Sequence, residues 1–80
     1  MAKGIHDPRY RRVMEQLVEA RAAKGLTQAA VAALLDKPQQ YVSRYETGER
    51  RLDLFEFLDA ANALGIDGWA LARAVSLNNE

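Results

Sequence analysis

The chain has 80 residues, of which 49% are apolar, and its eleven Lys and Arg residues balance its eleven Asp and Glu residues. A chain of this length supports one domain with a single core. It is too short to form both a core and an enclosed active site. The absence of cysteine excludes disulfides and thiolate metal sites, and there is no apolar run of the ~18 residues typical of a membrane span. Because the N-terminus is too polar for a signal peptide, we expect a soluble, cytoplasmic domain.

The first predicted helix begins at Asp7-Pro8, an N-cap residue followed by proline at the first helical position. Apolar residues then recur every three or four positions, as one buried stripe of a helix requires. These residues are Tyr10, Val13, Met14, Leu17 and Ala20. Gly25 is expected to end the helix as its left-handed cap.

The next two predicted helices are short and are joined by a tight turn. Thr27 caps the second helix, and its inward residues are predicted to be Val31, Ala32 and Leu35. Asp36-Lys37 forms the turn, and Pro38 lies at or just before the start of the third helix. The third helix is predicted from about Gln39 to Thr47. Its inward residues are Val42 and Tyr45, and Gly48 closes it.

Two further helices complete an all-α prediction of five helices without a strand. Asp53 and Glu56 form a capping-box-like start for the fourth helix, which Gly65 terminates. The buried stripe of the fourth helix is predicted to be Leu54, Phe57, Leu58, Ala61 and Leu64. Asp67 caps a short fifth helix that contains Trp69, Leu71, Ala72 and Val75.

The second and third helices, at about residues 27–47, have the layout of a helix-turn-helix DNA reader. The third helix opens with Gln39 and Gln40, and glutamine can hydrogen-bond a base edge at two atoms. The zero net charge counts against nucleic acid as a partner. However, ten of the eleven cations lie within residues 1–52, and a polyanion needs a positive face rather than a net charge.

A spaced set of residues runs from the first predicted helix to the fourth. It comprises Arg21, Gly25-Leu26-Thr27-Gln28, Val31-Ala32, Leu35, Val42-Ser43, Glu46, Gly48, Leu54, Phe57, Leu58, Ala61 and Leu64-Gly65-Ile66. This set resembles the Cro/C1-type (XRE family) helix-turn-helix domain of phage repressors and small bacterial regulators, a lambda-repressor-like fold. The match spans about 13–66 of a single domain over 1–80, with 67–80 as a short C-terminal helix and tail.

Two positions depart from the family pattern, both at the entry to the third helix. Asp36 stands where the family usually has Gly, and aspartate tolerates left-handed backbone better than most residues. Pro38 stands where the family usually has Ser or Thr, so the third helix loses a side-chain N-cap. We expect both departures to leave the fold intact and to affect how the third helix enters a groove.

The resemblance and the helix geometry together give candidate DNA contacts. The predicted base readers lie on the first turn and the next turn of the third helix: Gln39, Gln40, Ser43 and Arg44. The predicted phosphate contacts are Thr27, Gln28, Tyr41, Arg50 and Arg51. Helix N-termini attract phosphate, and the resemblance places the 50–51 loop near the DNA backbone.

Each candidate also has a plainer interpretation. The glutamines and Arg44 can be ordinary solvated residues, Thr27 can be a cap alone, and Tyr41 can simply pack. The three first-turn arginines are as well explained by solvation as by phosphate contact: Arg9, Arg11 and Arg12.

Other candidates are structural. Arg21 and Glu46 resemble the partly buried ion pair of the family, which ties the first helix to the third.

The fifth-helix residues Trp69, Leu71 and Val75 are either core or dimer contacts, since the family often dimerises through this region. His6 has no second ligand nearby in the sequence, so no metal site is predicted, and nothing indicates a cofactor.

The sequence thus favours a regulator of transcription that binds duplex DNA, and the family resemblance implies that it is bacterial or phage-encoded. The simplest form is a repressor acting as a homodimer, with its two third helices about 34–36 Å apart. The alternative is a protein-interaction module, such as an antitoxin or an adaptor, which the acidic C-terminal third favours. An enzyme is least supported because the sequence has no nucleophile–base pair, metal cluster or cofactor loop.

Overall fold

The computed structural model describes residues 7–77, so His6 and the tail after Leu77 lie outside it. It contains five helices: α1 (Pro8–Ala23), α2 (Gln28–Leu35), α3 (Gln39–Thr47), α4 (Leu54–Ala63) and α5 (Gly68–Leu77). No residue in 7–77 is in a strand, and no helix in this range is long and apolar enough to cross a membrane. The predicted all-α class and the order of the five helices are confirmed.

The helices begin where short polar side chains satisfy free backbone N–H groups. Thr27 Oγ1 accepts a hydrogen bond from the Ala30 N–H at 3.0 Å. Asp53 Oδ1 accepts from the Glu56 N–H at 2.8 Å, while Glu56 Oε1 accepts from the Asp53 N–H at 3.0 Å, which completes a capping box. The N-cap of α3 is Pro38, which provides no side-chain hydrogen bond, as predicted.

The turn between α2 and α3 is made possible by the backbone conformation of Asp36. Its φ of 57° and ψ of 45° lie in the left-handed region, where aspartate is tolerated better than most side chains. The Lys37 N–H donates to the Ala32 carbonyl at 2.9 Å and closes the end of α2. The chain therefore reverses within a few residues and packs α3 closely against α2.

The core lies between α1, α2, α3 and α4, and α5 closes it against α1 and α4. Its fully buried large side chains come from four different helices or their ends: Leu17, Val31, Val42, Tyr45 and Leu64. Burial of each such side chain contributes about 1.5–3 kcal/mol to folding relative to exposure. The inward positions predicted for α3 are therefore correct.

One predicted core position is wrong. Leu54 is 51% exposed, whereas Leu52, in the loop before α4, is buried. Leu54 is the first residue of α4 and borders an open groove beside Ala72 and Ser76 of α5, so no helix within residues 7–77 covers it. Leu52 fills this end of the core instead, and its N–H donates to the Tyr10 hydroxyl at 2.9 Å. Helix periodicity correctly predicted which face of α4 is buried. It wrongly placed the first buried residue at Leu54 instead of Leu52.

Candidate nucleic-acid interface

The outer face of α3 carries the four predicted base readers. Residues three and four positions apart share one face of a helix, which places 39 and 40 beside 43 and 44. Gln39, Gln40 and Arg44 are exposed, and Ser43 is half-buried. Because Val42 and Tyr45 anchor the opposite side of α3 in the core, this face points away from the protein. The arrangement is an open convex helix surface with amide, hydroxyl and guanidinium groups.

Behind this face, a largely shielded ion pair ties α3 to α1. Arg21 Nε donates to Glu46 Oε2 at 2.7 Å, and Arg21 Nη2 donates to Glu46 Oε1 at 3.0 Å. The side chain of Glu46 is only 7% exposed and that of Arg21 is 20% exposed. The hydrogen bond to Glu46 raises the pKa of Arg21 above its ordinary value. The structure thus brings together the two residues that the sequence paired.

The same carboxylate also holds a residue of α2. Gln28 Nε2 donates to Glu46 Oε1 at 2.9 Å, so one amide nitrogen of this predicted phosphate contact is used within the protein. Arg21 Nη1 donates to the Leu26 carbonyl at 2.9 Å, which fixes the chain just before α2. Gln28 is half-buried, and Thr27, the cap of α2, is exposed. The N-terminus of α2 is therefore held in a fixed position relative to α3.

The two loop arginines have different surroundings. Arg50 makes a bidentate pair with Glu56, with Nη1–Oε1 at 3.0 Å and Nη2–Oε2 at 2.9 Å. Its guanidinium carbon also lies 4.7 Å from the centre of the Tyr41 ring. Arg51 is exposed, and its side chain makes no hydrogen bond or ion pair within residues 7–77. The sequence predicted the same role for both arginines, a phosphate contact. In the structure, within residues 7–77, only Arg50 of the two has an acidic partner.

Glu56, which the sequence identified only as a cap, is also the ion-pair partner of Arg50. The Arg50 guanidinium and the Asp53 N–H together lower the pKa of Glu56 to about 2. Lys37 Nζ lies 5.3 Å from the Tyr41 ring centre, so Tyr41 has two cations near its ring. Arg50 and Glu56 are six residues apart, separated by a loop and the start of α4. This short separation was the only signal of their pairing in the sequence, and it is a weak indicator of contact.

The remaining cations and the predicted dimer residues are more scattered. Arg9 pairs with Asp7 at 2.8 Å, whereas Arg11 and Arg12 are exposed. Of the three predicted dimer contacts, only Trp69 offers a large free surface, being 63% exposed. Leu71 is half-buried and Val75 belongs to the core.

Three further apolar side chains are exposed that the sequence did not single out as surface residues: Leu34, Leu54 and Phe55. The described residues contain no cluster of three or more His, Asp or Glu side chains suited to holding a metal ion.

Comparison with known proteins agrees with this geometry. A helix-turn-helix family model matches residues 17–68, which include all of α2, α3 and α4. A solved structure of an XRE-family like protein from Pseudomonas syringae pv. tomato str. DC3000 is 42% identical in sequence, with a TM-score of 0.88. The similarity covers 98% of this chain and 95% of that chain. No curated protein matches the chain. The chain therefore belongs to the Cro/C1-type (XRE) family of helix-turn-helix proteins, a family of DNA-binding transcription regulators.

Proposed function

We propose that this protein binds specific duplex DNA sequences as a transcriptional repressor, with α3 in the major groove. One observation carries the proposal: four side chains suited to base recognition share the open face of α3, while the opposite face is fixed in the core. A helix that is packed into the core on one face and presents polar side chains on the other matches the requirements of major-groove readout.

Base recognition is assigned to the exposed face of α3 by the chemistry of its side chains. Gln39 and Gln40 each offer an amide that both donates and accepts, which complements the N6 and N7 atoms of adenine. Arg44 offers two parallel N–H donors, which complement O6 and N7 of guanine. Ser43, half-buried between them and the core, can bond to either kind of base.

Phosphate contacts are assigned to the elements that flank α3. Thr27 and Gln28 mark the N-terminus of α2, where unpaired N–H groups and the helix dipole favour a phosphate oxygen. Arg51 is an exposed cation just beyond α3. Tyr41, in the first turn of α3, can add its hydroxyl. These contacts would position the protein on the duplex without reading its sequence.

The proposal includes a homodimer in which Trp69 is the main apolar contact. Its 63% exposure in a helix with an otherwise packed inner face supports this role. A two-fold pair would place its α3 helices about 34–36 Å apart, which is one turn of duplex DNA.

Selection from random duplexes tests the proposal directly. The purified protein should enrich a palindromic sequence at low salt, and the enriched site should then be bound more tightly than a scrambled duplex. The absence of any enrichment at low salt would refute sequence-specific binding.

A second candidate function is a protein-interaction module, such as an antitoxin or an adaptor. Four large apolar side chains favour it because each is at least half exposed: Leu34, Leu54, Phe55 and Trp69. The zero net charge is also atypical of a DNA-binding domain. Failure of the duplex selection would make this the leading function.

A further inference from the structure

We infer that Arg50 positions the base-reading helix through Tyr41, and that it is not a phosphate ligand. The inference rests on the proposed function, because it concerns how α3 is oriented for readout. It also departs from the prediction made from the sequence, in which Arg50 and Arg51 both contacted the DNA backbone.

The edge of the Arg50 guanidinium formed by its two terminal nitrogens is already occupied. Both terminal nitrogens of its guanidinium donate to Glu56, one to each carboxylate oxygen, at 3.0 and 2.9 Å. Nη1 also lies 3.4 Å from the Arg51 carbonyl oxygen. A bidentate arginine–carboxylate pair is the geometry that arginine would otherwise use to grip a phosphate. A phosphate would therefore have to displace Glu56 to take the edge formed by Nη1 and Nη2, and only the side edge at Nε–H would remain for it.

The central carbon of the same guanidinium lies over the ring of Tyr41 in α3. It is 4.7 Å from the centre of the Tyr41 ring, within the range of a cation–π contact. Tyr41 in turn meets Tyr45 edge to face, with ring centres 5.8 Å apart and an interplanar angle of 83°. Tyr45 is fully buried. A continuous series of contacts thus runs from Glu56 in α4 through Arg50 and Tyr41 to the core.

This series of contacts acts at the first turn of α3, which has no side-chain cap. The N-cap Pro38 makes no side-chain hydrogen bond, so the first turn of α3 has no cap to hold it. Tyr41 belongs to that turn and directly follows Gln40. Contact between Arg50 and Tyr41 therefore restrains the segment that carries both glutamine readers. Such restraint matters because a reader side chain must be placed to within a fraction of an ångström.

The charge balance also opposes a phosphate at Arg50. Glu56 carries a full negative charge at neutral pH, since Arg50 and the Asp53 N–H lower its pKa to about 2. A phosphate approaching Arg50 would meet this carboxylate directly. Arg51 has no such partner within residues 7–77 and provides a matched control one residue away.

The test measures the binding of Arg50→Gln, Glu56→Gln and Arg51→Gln to a preferred and a scrambled duplex over a range of salt concentrations. For Arg50→Gln and Glu56→Gln, we expect the ratio of the two affinities to fall by about fivefold, the scale of one cation–π contact. The salt dependence should stay unchanged for both. For Arg51→Gln, the ratio of the two affinities should stay constant. The salt slope, which is the slope of log affinity against log salt concentration, should fall in magnitude by about one.

Two results would overturn the inference. One is a salt slope that falls by about one in Arg50→Gln with a constant affinity ratio, which would identify a phosphate contact. The other is tighter binding of Glu56→Gln to both duplexes, which would show that Glu56 merely competes with DNA for Arg50.

Hydrogen exchange in the free protein separates this inference from the proposed function. The amides of residues 42–44 should exchange faster in Arg50→Gln and Glu56→Gln than in the wild type, and at the wild-type rate in Arg51→Gln. Unchanged exchange in the first two variants would refute the positioning role even if the wild type selects a DNA site. A wild type that discriminates no duplex would instead refute the proposed function.

Discussion

Gln28 Nε2 lies 2.9 Å from Glu46 Oε1, on the same carboxylate that accepts two hydrogen bonds from Arg21. This single side chain therefore joins α1, α2 and α3. The two helices of the helix-turn-helix unit are held in register by a charged group as well as by apolar packing. Because the side chain of Glu46 is only 7% exposed, hydrogen bonds from these partners stabilise its carboxylate in place of water.

Removal of Arg21 should leave the buried negative charge of Glu46 without its cationic partner. We expect Arg21→Met to lower the free energy of unfolding by about 3 kcal/mol, the lower end of the range for breaking a buried pair, since Arg21 keeps some exposure. Urea denaturation followed by circular dichroism measures the change. Arg9→Met is the control, because it removes an exposed ion pair in the same helix and should leave the midpoint near that of the wild type. Equal midpoints for both variants would show that the Arg21–Glu46 pair does not stabilise the fold.

The Arg50–Glu56 pair should give the protein a dependence on acid pH. The pKa of Glu56 is lowered from an ordinary 4.5 to about 2 in the folded protein. A carboxyl group with a depressed folded pKa stabilises the fold above its unfolded pKa and loses that contribution as the pH falls through its folded pKa. The stability advantage of wild type over Glu56→Gln should thus be full at pH 7 and shrink between about pH 4.5 and 2.

Thermal unfolding of both proteins across this pH range tests the dependence. Asp7, whose pKa is also lowered to about 2 by Arg9, is present in both proteins and cancels from the difference. A wild-type advantage that stayed constant from pH 7 to pH 2 would contradict the pairing of Arg50 with Glu56 in solution.

The sequence predicted the helices well because their limits are set by local chemistry. Asp53 and Thr27 cap the helices that follow them, and Asp36 adopts the left-handed turn, all through contacts with residues a few positions away. The inward positions of α3 followed from periodicity for the same reason. The Arg21–Glu46 pair, 25 residues apart, came from the family resemblance and not from any local rule.

The parts that the sequence missed depend on how separate segments meet. Leu52 is buried in the core and Leu54 is exposed at the groove beside α5, a difference that no local pattern encodes. The partner of Arg50 depends on the path of the loop between α3 and α4. The bond between Gln28 and Glu46 requires two helices to be correctly docked before the side chains can meet. Non-local contacts of this kind need the fold to be known first.

Trp69 should govern self-association. We expect Trp69→Ala to shift the protein towards monomer and to weaken binding to a palindromic site more than to a single half-site. Leu34→Ala is a matched control, because Leu34 is 61% exposed on a different helix. Sedimentation velocity with and without DNA measures the oligomeric state. A wild-type protein that remains monomeric both free and on a palindromic duplex would rule out the homodimer.

Base readout should depend on the first turn of α3. Gln39 and Gln40 are exposed on the face that would enter the major groove, and their amides match adenine. Replacing either by Ala should cost roughly 1–3 kcal/mol on the preferred site and relax base preference at one position, while binding to a scrambled duplex changes little.

Arg51→Ala provides the contrasting variant for this readout experiment. Phosphates carry no base identity, so its loss should weaken preferred and scrambled duplexes alike and reduce the salt dependence. Fluorescence anisotropy on both duplexes at two salt concentrations distinguishes the two classes of residue. If the glutamine variants lose equal affinity on both duplexes, Gln39 and Gln40 contact the backbone and α3 enters the groove in a different register.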